Sequence, residues 1–185
     1  PANFKTDGFG SIAEIVEMIK ASIDPSHMIT ELVLNGNELQ DSDWGARTNQ
    51  YPTIALQART GTPAEFVRER FSLAWEVVNN LYVQFRDARK CFQAGQITAG
   101  NRQLVGAVST SKAFFEWYAS ILGLVKPEDR KPYDIGDQVL AISETCKDLC
   151  QQQLYQSWWA LSESIANKLE PQLDKLEDAC RKFAV

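Results

Sequence analysis

The strongest constraint on the fold is a run of apolar residues within 62–94: Val67, Phe71, Ala74, Val78, Leu81, Phe85, Ala88 and Phe92. Their spacing alternates four and three without a break. A strand repeats with period two, so this pattern belongs to one face of a long amphipathic helix that packs against other helices. Thr62 is an N-cap, Pro63 occupies the first helical position, and Glu65 completes a T-x-x-E capping box. Gly95 is the natural stop, and Arg86, Arg89 and Lys90 near it complement the helix dipole. Read as a single helix, the segment is on the order of 45 Å long at ~1.5 Å per residue.

Three more helical stripes follow. Residues 98–122 form a second helix with the stripe Ile97, Leu104, Val108, Phe115, Tyr118 and Leu122. Residues 123–132 are a loop with two prolines, and a third helix begins near Asp134, with Ile135, Val139, Ile142, Cys146 and Leu149 on one face. A break around residues 153–155 precedes a fourth helix carried by Leu161, Ile165, Leu169, Leu176, Cys180 and Phe183. Pro171 is expected to kink it, because proline cannot donate to residue 167 and crowds that turn. Four helices joined by short loops predict an antiparallel four-helix bundle over residues 61–185.

Residues 1–60 have a different texture. Residues 2–6 are compatible with a short edge strand. Ser11 and Glu14 form an S-x-x-E capping box that opens a helix with the face Ile12, Ile15, Val16, Ile19 and Ile23, closed by Asp24-Pro25. A strand over residues 28–34 runs into Asn35-Gly36, a strong hairpin signal because both central residues of a type I′ turn need positive φ. The return strand starts at residues 37–39, and another strand is expected over residues 53–59. The predicted fold is therefore α+β and mostly α: a small N-terminal α/β unit, residues 1–60, packed on the bundle. So few elements bury little surface, and the unit is expected to need a partner surface.

Three segments carry a resemblance. Ile29 to Gly36, Thr62-Pro63-Ala64-Glu65 and the leucine-rich stretch 162–173 with its proline resemble a group of uncharacterised bacterial proteins. In that group a small ubiquitin-like α/β unit precedes a helical bundle. The resemblance implies this layout and no known activity. The acidic residues of the last helix are sparser here, at Glu163 and Glu170.

Composition and motifs argue mainly by exclusion. A net charge of −5 with scattered Lys and Arg does not suit a phosphate backbone, so no nucleic-acid partner is expected. No apolar run approaches the roughly 20 residues needed to span a bilayer, and no membrane partner is expected. Pro1-Ala2-Asn3-Phe4 opens no signal-peptide pattern. Cys91, Cys146, Cys150 and Cys180 form no C-x-x-C pair, which points to a reducing cytoplasm.

His27 is the single histidine, lies at a helix-to-strand turn, and has no clustered ligands. It supports neither a metal site nor a hydrolytic triad, and no G-x-S-x-G elbow is present. Gly8-x-Gly10 and residues 95–106 lack the ending of a phosphate loop. Cys146 and Cys180 fall on core stripes and read as small buried hydrophobes. Carboxylate pairs such as Glu128-Asp129 and Asp41 with Asp43 lie in polar loops and read as solvated charges. No catalytic residue, metal or cofactor is expected.

The aromatic residues need an explanation. Phe114 and Phe115, Trp117 and Tyr118, Trp158 and Trp159 are adjacent pairs. Helix neighbours point about 100° apart, so one seam cannot take both members. Phe115 and Tyr118 fit the seam, which leaves Phe114, Trp117, Ile121 and Val125 as a second stripe, with Trp75, Asn79 and Tyr82 beside the first. Such stripes widen the core, lie under the α/β unit, or form an exposed patch for another protein or a second copy. The leading functional expectation is a non-enzymatic protein-interaction module, adaptor-like or chaperone-like, whose candidate contacts are Trp75, Tyr82, Phe114, Trp117, Ile121, Trp158 and Trp159, with the sheet edge beside them. The rival classes are a ligand-binding or enzymatic bundle with a pocket near Tyr118 and Trp158, and a homodimer formed through the long helix.

Overall fold

The computed structural model describes residues 8–184; the edge strand expected over residues 2–6 lies outside them. The described residues are mostly α with one small antiparallel sheet. It divides into two compact units, Pro1–Phe66 and Val67–Val185.

In the first unit, helix α1 (Ile12–Ser22) places Ile12, Ile15, Val16 and Ile19 in the core. Its cap differs from the expected box. Ser11 Oγ accepts from Glu14 N–H at 3.3 Å, but the Glu14 carboxylate accepts from Gly10 N–H at 2.8 Å, one residue earlier. Ser11 itself forms a bridge to Arg47. Strands β1 (Met28–Leu34), β2 (Asn37–Glu38) and β3 (Leu56–Gly61) form a sheet of order β2-β1-β3, antiparallel throughout. The register is irregular between Ile29 and Glu31. An extra residue there switches the alternation, so Ile29, Leu32 and Leu34 all join the core cluster, opposite Leu56 and Ala58.

Asn35 and Gly36 have φ of 51° and 86°, which fits the turn the sequence announces. The Asn35 side chain also donates to Thr53 O at 3.1 Å and accepts from Ala55 N–H at 2.8 Å. Those bonds engage residues 53–55 outside the sheet, so β3 begins later than the expected residue 53.

The expected long helix, whose start belongs to the first unit, is divided. The Thr62–Glu65 box forms with both reciprocal bonds, Thr62 N–H to Glu65 Oε2 at 2.9 Å and Glu65 N–H to Thr62 Oγ at 3.2 Å. Helix α2 (Pro63–Phe71) then stops, and α3 runs over Ala74–Gln93. At the break Ser72 Oγ donates to Glu69 O at 2.7 Å, a side-chain bond that competes with the backbone ladder. The apolar phase survives the break: Val67 through Phe92 are all buried along the expected seam. Gly95, with φ of 72°, closes α3 in a Schellman motif: Gln96 N–H bonds Cys91 O and Gly95 N–H bonds Phe92 O.

Helix α4 (Ile97–Leu122) packs on α3, but not on the expected face. Its buried residues are Gly100, Leu104, Ala107, Ser111, Phe114 and Tyr118. Phe114, expected beside the seam, is in the core, and Phe115, expected in it, is half-buried. Small residues govern this contact. A Cβ at Gly100 would lie 2.8 Å from the Phe92 ring, so α4 comes closer to α3 than a larger side chain permits.

Helix α5 (Gly136–Leu154) is opened by Asp134, whose Oδ1 accepts from Gly136 N–H at 2.9 Å. It ends in a second Schellman motif, with Gln156 at φ 55° in the position glycine usually takes, Ser157 N–H bonded to Gln152 O and Gln156 N–H to Gln153 O. Helix α6 (Trp158–Ser164) passes through one π-helical segment, Ile165–Leu169, into α7 (Glu170–Arg181). The expected kink at Pro171 is thus a widened turn. Glu170 N–H bonds Ile165 O, five residues back, just before the residue that has no N–H to give.

The α6–α7 helix packs on α3 and on α5. No extended packing joins α4 to α5. Among the described residues no helix is long and apolar enough to cross a membrane.

Candidate functional site

Most of the aromatic candidates serve the interior of the second unit. Phe114 is buried; Trp75, Tyr82, Trp117, Ile121 and Trp158 are partly buried against the core. Trp117 meets Phe71 edge-on at 5.5 Å and Phe114 at 5.8 Å. The Arg181 guanidinium lies 4.2 Å from the Trp75 ring centroid, a cation–π contact that covers one face, and Arg86 lies 5.7 Å from the Tyr82 centroid. Val78, Leu81 and Phe85, on the long-helix seam, are fully buried inside their own unit.

Tyr118 and Trp158 pack at different places along the long helix. Tyr118 stacks on Phe71 at 5.3 Å and its hydroxyl donates to Tyr133 O at 2.5 Å. Burial pushes its phenol pKa up. Trp158 stacks on Phe92 at 5.7 Å with the planes 7° apart. Phe71 precedes α3 and Phe92 closes it, so the two sites are separated by the length of that helix, roughly 30 Å at ~1.5 Å per residue.

Two surface features stand out among the described residues. The first is a groove of about 430 Å³ between α4 and α5. Val108, Ser111, Phe115 and Ala119 line one wall, and Ile142 and Cys146 the other. These α4 positions are one helical stripe, and Val108 and Phe115 are the residues the sequence pattern assigns to the core. Lys112 and Glu116 stand at the groove as an exposed ion pair, 3.7 Å apart. Ser111 Oγ is already engaged, donating to Ala107 O at 2.9 Å. Burial pushes the Cys146 thiol up to about 11, with the Cys150 charge adding to the shift, so at neutral pH the wall is a neutral thiol and a poor nucleophile. Cys180 is pushed up to about 12, again by burial first and Glu177 second. Among the described residues no three His, Cys, Asp or Glu side chains converge as a metal-ligand set.

The second feature is the turn between α5 and α6. Leu154, Tyr155 and Trp159 are 81%, 77% and 78% exposed. Only Trp159 among them is a candidate from the aromatic pattern. Leu154 and Tyr155 escape that reading because they fall at a predicted break. The available signal is apolar residues that fit no stripe, placed directly after Gln151-Gln152-Gln153. The turn is held from beneath: Trp158 stacks on Phe92, and Gln153 Nε2 donates to Asn101 Oδ1 at 2.9 Å. These contacts bring it beside the α3–α4 turn.

Compared with models of protein families, with curated proteins and with solved structures, the chain matches none.

Proposed function

We propose that the protein is a non-enzymatic interaction module, adaptor-like and cytoplasmic, and that the α4–α5 groove receives an amphipathic helix of a partner protein. In this reading the second unit is a four-helix bundle of α3, α4, α5 and the α6–α7 helix, left open on one side. The observation that carries it is the second stripe of α4. Val108, Phe115 and Ala119 follow helical spacing, yet they face a groove and not a helix. An apolar stripe at that spacing is what a partner helix needs for i, i+3, i+4 anchors. The groove volume also lies in the range of small-ligand sites. It has few free polar groups to orient a small molecule, because Ser111 bonds its own backbone and Lys112 pairs with Glu116. Kinship with the bacterial α/β-plus-bundle group belongs to the same proposal and rests on the Asn35-Gly36 turn and the Thr62–Glu65 box.

The test is Ala119→Arg, a change at an exposed groove residue that fills the site without touching the core. Proteins captured from the native cell by the wild-type chain are purified and titrated against both chains. The expected result is a partner whose affinity falls at least tenfold for Ala119→Arg while Tm is unchanged. A partner bound equally by both chains, or no partner for the wild type, overturns the reading.

A further inference from the structure

The α5–α6 turn carries a second, independent inference. Its three exposed apolar side chains are of the kinds that settle at a lipid–water boundary. Leucine supplies apolar area, whereas tyrosine and tryptophan combine a ring with a polar edge. Their exposure is built in. Gln156 holds a left-handed backbone, two Schellman bonds close the turn, and Trp158 anchors it on Phe92. The turn is a rigid projection and not a frayed end.

Charge around it is also unusual for this chain. The protein has a net charge of −5. Nevertheless, no Asp or Glu lies between Asp148 and Glu163, around the turn, or between Asp87 and Glu116, across the neighbouring α3–α4 turn. Both cations in the latter stretch beyond the Glu170-paired Arg89 and before Lys112 are exposed. They are Lys90, 3.4 Å from Asp87, and Arg102, next to the Asn101 that binds Gln153. Within an acidic protein, these two stretches therefore carry no carboxylate of their own; they hold Leu154, Tyr155 and Trp159 together with Lys90, which Asp87 partly neutralises, and Arg102. A protein groove would demand a matching concave shape, whereas a bilayer surface deforms around a projecting turn. An anionic headgroup layer complements the flanking charges.

We propose that the Leu154–Tyr155–Trp159 turn is a peripheral membrane contact that inserts into the interface of an anionic lipid surface, with Lys90 and Arg102 against the headgroups. It does not depend on the α4–α5 groove. The full chain is floated with vesicles of phosphatidylcholine alone and of phosphatidylcholine with phosphatidylserine. The expected result is binding to the anionic vesicles that weakens at least tenfold in the triple variant Leu154→Ser, Tyr155→Ser, Trp159→Ser, and severalfold in Lys90→Gln with Arg102→Gln or at high salt. All five residues are exposed, and Tm checks that each variant folds. Failure of the wild type to float, equal binding to both vesicle types, or equal binding of wild type and triple variant overturns the proposal. So does wild-type self-association in light scattering that the triple variant abolishes without any vesicle binding, which would make the turn a contact between copies of this chain.

Discussion

Arg89 Nε lies 2.7 Å from Glu170 Oε1, where α3 meets the first residue of α7. Their side chains are only 20% and 11% exposed, unlike the other ion pairs described. A second, longer bond joins Arg89 to Glu170 Oε2 at 3.4 Å. The pair fixes the end of the π-helical segment to the middle of the unit. Removing one partner strands the other charge away from water. Glu170→Ala is expected to cost about 2–3 kcal/mol, somewhat less than a fully buried pair because both groups keep some solvent. For a protein of this size that lowers Tm by roughly 5–10 °C. Replacing both, as Arg89→Met with Glu170→Leu, should recover most of the loss. A single-variant loss below about 0.5 kcal/mol would place the pair among ordinary surface bridges.

Gly100 is the point where α4 and α3 come closest. Its missing Cβ would sit 2.8 Å and 2.9 Å from two carbons of the Phe92 ring. The ring cannot simply retreat, because Trp158 is stacked against it. Gly100→Ala gains up to about 1 kcal/mol in helix propensity, yet overpacking typically costs ~1–3 kcal/mol. The expected net effect is destabilisation in chemical denaturation, relieved when Phe92→Leu is added. A Gly100→Ala protein more stable than wild type would show that the stack shifts freely.

Cys180 is pushed up to about 12 by burial. Its unfolded thiol has the ordinary value of 9.0. Between these values the unfolded chain loses the proton that the folded chain keeps. The unfolded state then binds fewer protons, so stability is fully present below about 9 and falls as pH rises towards 12. Tm measured at pH 8 and at pH 10.5 should drop more for wild type than for Cys180→Ala, whatever the variant's own starting value. Equal drops would remove Cys180 from the alkaline transition.

Legibility in the sequence followed the size of the side chains. The α3 seam, from Val78 to Phe92, is readable because large apolar residues mark all but one of its turns. Sequence spacing misplaces the α3–α4 contact by one residue, at Phe114 and Phe115, because Gly100, Ala107 and Ser111 make it, and small residues carry little hydrophobic signal. Thr62–Glu65 and Asn35-Gly36 announced themselves through groups that have few other uses. By contrast, the stop at Gln156 carries no glycine, so its left-handed backbone had no compositional mark. The groove was hidden for a related reason. Val108 and Phe115 look like core residues in any stripe, and sequence spacing does not tell a wall from an interior. Trp75 and Trp117 drew attention as aromatics beside the seam, but Arg181 and Phe71 occupy them.

The π-helical segment also accounts for a spacing that an ordinary helix would not sustain. Leu161, Ile165, Leu169 and Leu173 are separated by fours alone, with no three to bring the stripe back into line. On a regular α-helix successive fours drift steadily around the axis, and a locally underwound turn cancels the drift. Ile165–Leu169 therefore works as a vernier within one long rod. It takes up the extra residue, worth about 100° of rotation, so that leucines before and after it stay on the same bearing. Deleting one residue there would return the segment to a regular α-helix with the leucines still in line, whereas inserting another would throw them out of phase.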